Sequence, residues 1–181
     1  MTRAWLRAYR AGPAIAGTTL LCAVSLLTTQ AAIRMGPGTP VRTTWFLLLG
    51  VVVLSSLPLY PSFGLLERSF ARARLNRTGR AAVAAALVAT AAVVVGTVTG
   101  TLAVVIWFIL LAALCLLAAV ATTDKSWAVV LLVGGGTIGF DHMMISSPVS
   151  RAMDTVGLRT AICAYALAWL AFVLLPGPKD S

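Results

Sequence analysis

Acidic residues are scarce in this chain: Asp and Glu number five in 181 residues. Histidine occurs once, as His142, and cysteine three times. One histidine leaves no multi-histidine metal site and no Ser-His pair on a nucleophile elbow. Three cysteines, an odd number, form no disulfide scaffold, and Cys22, Cys115 and Cys163 all fall inside apolar runs, where packing is their expected role. No phosphate-binding loop is present, because the glycines at 134–139 are not followed by Lys-Ser/Thr. A rhomboid-like protease would need a Gly-x-Ser-Gly helix and a histidine deep in another span, and neither occurs. Charged residues as a whole make up only 10% of the chain.

Apolar residues fill that space. They make up 60% of the sequence, and mean hydropathy is +0.96. Soluble domains run at about 45–50% apolar and about 25% charged, and a small domain keeps much of its surface in water. A soluble enzyme and a disordered chain are therefore excluded. A polytopic helical membrane protein is predicted.

Uncharged runs long enough to cross about 30 Å of hydrocarbon place six spans, at about 13–33, 43–60, 81–98, 101–121, 127–140 and 160–175. Trp45 and Tyr60 are expected as interfacial anchors of the second. Between Arg80 and Asp124 lie 43 residues without a charge, which split into a hairpin at Gly96–Gly100. The fifth run is short, and Gly134-Gly135-Gly136 is expected to interrupt it. The runs are continuous and lack the alternation of barrel strands. Trp107 and Trp169 are expected to pack in span centres. Span cores carry no ionisable group, which disfavours ion-coupled transport. Thr18, Thr19, Ser25, Thr28, Thr29, Gln30, Ser55, Ser56, Thr90 and Thr97 are expected to bond between helices. The apolar run that follows the basic N-terminus exceeds a signal core of about 7–15 residues and is read as a retained span.

The net charge of +9 would suggest nucleic acid in a soluble protein. Here it distributes by topology. With both termini inside, ten basic residues face the cytoplasm: Arg3, Arg7, Arg10, Arg68, Arg72, Arg74, Arg77, Arg80, Lys125 and Lys179. Four lie outside: Arg34, Arg42, Arg151 and Arg159. The positive-inside rule selects this N-in, C-in arrangement and removes nucleic acid as a partner. The Asn76-Arg77-Thr78 glycosylation sequon falls on the cytoplasmic side and is discarded.

Three segments outside the spans are informative. Residues 1–12 carry Trp5, Leu6 and Tyr9 among arginines, as an interfacial helix does. In 61–80, Phe63, Leu66, Phe70 and Ala73 share one helical face and Arg68 and Arg72 the opposite one. That segment reads either as a positive-inside loop held by anionic lipid or as a helix docking a cytoplasmic partner. For docking, Leu66, Glu67, Arg68, Phe70 and Arg72 are the candidate residues. The segment 134–158 reads either as an extracellular loop or as short helices re-entering the outer leaflet, where irregular backbone lines protein or a watery path. In the second case Gly134, Gly135, Gly136, Phe140, Met143 and Met144 are candidate pathway or gate residues. Asp141, His142 and Asp154 are candidate cation ligands, although without further ligands a solvated or hydrogen-bonded loop is the expected reading.

The arrangement resembles the type-2 permease subunits of ATP-binding-cassette exporters. It shares an N-terminal interfacial helix, six spans, a coupling helix between spans two and three, and re-entrant helices between spans five and six. Leu65-Leu66-Glu67-Arg68, followed by an arginine-rich turn and an Ala-rich span, is similar to that family's coupling region. The resemblance implies a separate ATP-binding subunit docked on 61–80, a second permease subunit, and an amphiphilic cargo such as a peptide, lipid or drug. It implies no catalytic residue, cofactor or metal in this chain. The Ala/Val/Leu/Arg-heavy style suggests a high-GC bacterium and its cytoplasmic membrane. Two other readings stand beside this one. A non-catalytic scaffold of a larger membrane complex needs no special residues. A membrane-embedded lipid enzyme would have only Asp141, His142 and Asp154 to work with.

Overall fold

The protein is described by a computed structural model over residues 10–28, 31–33, 41–59, 73–122, 125–143 and 148–175. Those residues are helical apart from turns and one two-residue ladder. The helices are α1 (Ala11–Leu27), α2 (Thr43–Ser56, extended by a 3-10 turn Leu57–Leu59), α3 (Ala73–Thr99), α4 (Leu102–Ala121), α5 (Ser126–Met143), α6 (Pro148–Val156) and α7 (Leu158–Leu174). In the ladder, β1 (Ala32–Ile33) pairs antiparallel with β2 (Val41–Arg42), closing the corner between α1 and α2.

Among the described residues, two helices are long and apolar enough to cross a membrane: 25 residues at Leu75–Thr99 and 20 at Leu102–Ala121. The turn between them sits at the end of the glycine-bounded stretch. Gly100 adopts φ +62, and its N–H donates to Gly96 O at 3.1 Å. That is the left-handed position that ends helices and that glycine occupies without a Cβ penalty.

Six helices run up and down past one another. Gly17 lies against Leu54, and Gly50 against Leu21, so α1 and α2 are antiparallel. Ser25, Thr44 and Thr99 share one small niche, and Trp45, Trp107 and Thr137 meet beside it. The α1–α2 corner, the α3–α4 turn and the late part of α5 therefore share one end, the hairpin end. At the opposite end Arg80 of α3 donates to Leu59 O, the Arg77 guanidinium lies 4.6 Å from the Phe172 ring of α7, and Cys115 meets Ser126. Arg10, Arg77, Arg80 and Lys125 gather at this basic end. Arg42, Arg151, Asp154 and Arg159 lie at the hairpin end.

The centre of the bundle is α4, which packs against α2, α3, α5, α6 and α7. Its Ile106, Trp107, Phe108, Leu111 and Leu116 are buried. The peripheral helices are turned the other way. On α1, Ala11, Ala14, Thr18 and Ser25 are buried, while Leu20 and Leu27 are exposed. On α7, Ala161, Ala168 and the larger Phe172 are buried and Leu167 and Leu174 exposed. Leu27 is 85% and Leu132 77% exposed. Large contiguous apolar surfaces are rare on soluble monomers, and small residues at helix contacts with large ones outside match packing in lipid.

Several expectations from sequence need correction. The glycine triplet does not interrupt the fifth run, since α5 is continuous from Ser126 to Met143. Residues 134–143 are therefore neither loop nor re-entrant turn. Tertiary contact overrides the helix cost of about 1 kcal/mol per glycine. Residues 73–80 are the first turns of α3 and not part of a separate short helix. The first helix ends at Leu27, before an extended stretch. Trp45 is no isolated anchor: it packs edge-on to Trp107, centroids 5.0 Å apart. Trp107 itself sits in the first two turns of α4 and is buried, while Trp169 packs partly buried beside Phe172.

The hydroxyls correct a further expectation. Those of Ser25, Thr28, Ser55, Ser56, Thr90 and Thr97 donate to carbonyls three or four residues back in their own helices. A helix offers Ser and Thr that acceptor without any neighbour. The cysteines are free, with Cys115 buried, Cys22 half-buried and Cys163 exposed on α7.

Candidate functional site

Two groups of predicted site residues have different outcomes. Leu66, Glu67, Arg68, Phe70 and Arg72 lie outside the described residues, as do Tyr60, residues 1–9 and Met144. Gly134, Gly135, Gly136, Phe140 and Met143 all belong to α5. They do not form one lining. Gly134 is buried, and a Cβ there would collide with Leu49 Cδ2 and stand 3.1 Å from Leu111 Cδ1. Gly135, Gly136 and Gly139 have open space where a Cβ would go, and Phe140 is exposed. One glycine of the triplet thus lets α5 approach α2 and α4, and the others look outward.

Above Gly134 a polar contact joins α4 to α5, and an aromatic one joins α4 to α2. The indole N–H of Trp107 donates to Thr137 Oγ1 at 3.0 Å, and Thr137 Oγ1 donates to Gly134 O at 2.9 Å. A buried indole needs an acceptor, and the α5 hydroxyl one turn beyond Gly134 supplies it. Trp45 then closes against the Trp107 ring. A second cross-helix contact joins Cys115 Sγ and Ser126 Oγ at 3.5 Å, near the basic end. Sequence reading missed both, because each needs partners whose neighbourhood only packing fixes.

Asp141 completes the hairpin end. Its residue is 3% exposed, and its Oδ1 accepts the Val149 N–H at 2.8 Å. This carboxylate is thus in a helix, hydrogen-bonded to the first turn of α6, and not in a solvated loop. Asp154 sits on the exposed face of α6. Among the described residues no three His, Cys, Asp or Glu side chains come together. The site is therefore a packed, internally bonded junction of α2, α4, α5 and α6. As a chemical device it can position helices.

The cavity found between α1, α2 and α3, lined by Cys22, Ser25, Thr44, Leu48, Val94, Val95, Val98 and Thr99, holds about 10 Å³. That is about one water molecule.

No protein-family model, no curated protein and no solved structure matches this chain.

Proposed function

We propose that the chain is the membrane-spanning permease subunit of an ATP-driven exporter, crossing the bacterial cytoplasmic membrane six times with both termini inside. The observation that carries this reading is the distribution of surfaces. Six apolar helices alternate in direction, their outward faces are leucine-rich, and basic residues gather where α1 begins and α7 ends. The positive-inside rule then turns that end to the cytoplasm. The four shorter apolar helices have 16 or 17 residues, near the lower limit for a crossing.

In the permease reading the pathway forms between this subunit and a second permease subunit, and residues 61–80 dock a separate ATPase. The alternative is a scaffold that assembles with other membrane proteins and moves nothing.

Purification of the full-length tagged protein in mild detergent separates the two readings. Recovery of a nucleotide-binding subunit, lost on Leu66→Asp or Glu67→Arg, is the expected result. Recovery of partners without ATPase activity, with both variants unchanged, overturns the permease reading in favour of the scaffold.

A further inference from the structure

The polar tie described for α6 joins it to a different helix. Asp141 belongs to α5 and is buried, yet its Oδ1 takes the N–H of Val149, in the first turn of α6. First-turn amides have no intrahelical partner, and Asp141 supplies one of them, that of Val149, with an acceptor from the neighbouring helix. Pro148 opens the helix, where a missing N–H costs nothing.

The rest of the attachment of α6 is shallow. Val149, Met153 and Val156, spaced i, i+4 and i+7, pack on the core cluster that contains Val104, Trp107 and Ile138. Arg151, Asp154 and Thr155 face outward. A nine-residue helix is not stable by itself in water, so α6 depends on this docking. Its far end is joined to α7 through Gly157 alone, at φ +74, a conformation that glycine enters and leaves at low cost. The long helices have no comparable joint within them.

We propose that α6 is a hinged cover over the hairpin end of the bundle, latched by the Asp141–Val149 hydrogen bond and turning about Gly157. Segments tied by few buried contacts open locally well before the whole protein unfolds. Release of the latch lifts Val149, Met153 and Val156 from the α4–α5 surface while α7 stays in place against α4. The inference rests on the packing of α6 and does not require the chain to be a permease.

Spin labels on the exposed positions Ala152→Cys and Thr101→Cys, in full-length protein with Cys163→Ser, test it by distance measurement. The parent protein is expected to give one distance. Asp141→Ala is expected to add a longer one, with the open population raised about tenfold or more, as for loss of a hydrogen bond to a charged group. Asp141→Asn retains an oxygen that accepts the amide and is expected to keep the single distance. A single unchanged distance in Asp141→Ala overturns the latch, and so does opening of Asp141→Asn to the same extent. Should Asp141→Ala not yield folded protein, amide exchange of Val149 in the unaltered chain decides. Protection of about tenfold or more over the unfolded rate supports the latch, and exchange near the unfolded rate overturns it.

Discussion

The neighbours α3 and α4 are the two longest apolar helices among the described residues, and they sit in the bundle in opposite ways. More than half of α4 is buried, 56% of its most apolar window, against 28% for α3. α4 carries Trp107, Phe108, Ile106 and Leu116 into the centre. α3 turns alanines inward at Ala81, Ala84 and Ala91 and leaves Val93 outside. Hydropathy alone ranks both as membrane-crossing and says nothing of which is wrapped in protein. Side-chain volume does: the helix rich in large residues forms the axis, and the alanine-rich helix is a wall.

That contrast is open to direct attack. Phe108 is fully buried and Val93 is 68% exposed. Phe108→Ala is expected to cost about 3–5 kcal/mol, whereas Val93→Ala stays within about 0.5 kcal/mol. Thermal unfolding in one detergent measures both, and equal losses would erase the distinction between axis and wall. Next in size is Ala89→Lys, near the middle of the exposed α3 face. In a bilayer the charge is expected to cost about 2.5–3.5 kcal/mol, read as loss of insertion or of folded protein in lipid vesicles. A variant that inserts as well as the parent would show that this face meets water. The smallest effect sharpens the contact of the axis with α5. Gly134→Ala pushes a methyl group into Leu49 and Leu111 and is expected to destabilise by about 1–3 kcal/mol. Gly135→Ala and Gly136→Ala have open space and are expected to gain up to about 1 kcal/mol in helix propensity. Circular dichroism melts of the three variants check the order.

The sequence reading succeeded where one dominant local signal decided the outcome. The hairpin at Gly96–Gly100 was legible because a charge-free run was too long for one crossing and glycine marked its break. Helix positions followed from apolar runs. Partners were not legible in the same way. Gly134-Gly135-Gly136 is three identical residues, yet packing gives the first a different role from the other two. Asp141 reads as a loop carboxylate because the amide that it caps lies eight residues on. The serines and threonines invite interhelical pairing on paper, but Ser25, Thr28, Ser55, Ser56, Thr90 and Thr97 find a carbonyl of their own helix. The contact of Trp45 with the Trp107 ring is likewise absent from any local pattern.

The contact between α4 and α7 also bears on assembly during synthesis. The axis of the bundle leaves the ribosome before α5, α6 and α7 exist, so only α2 and α3 can cover it at first and the rest of its wrapping comes from chain not yet made. In water that delay would expose a sticky surface. In lipid the waiting face of α4 meets acyl chains as apolar as itself, and the later helix displaces them through closer packing. The proposed membrane setting thus lets the most apolar helix be made in mid-chain without a chaperoning partner.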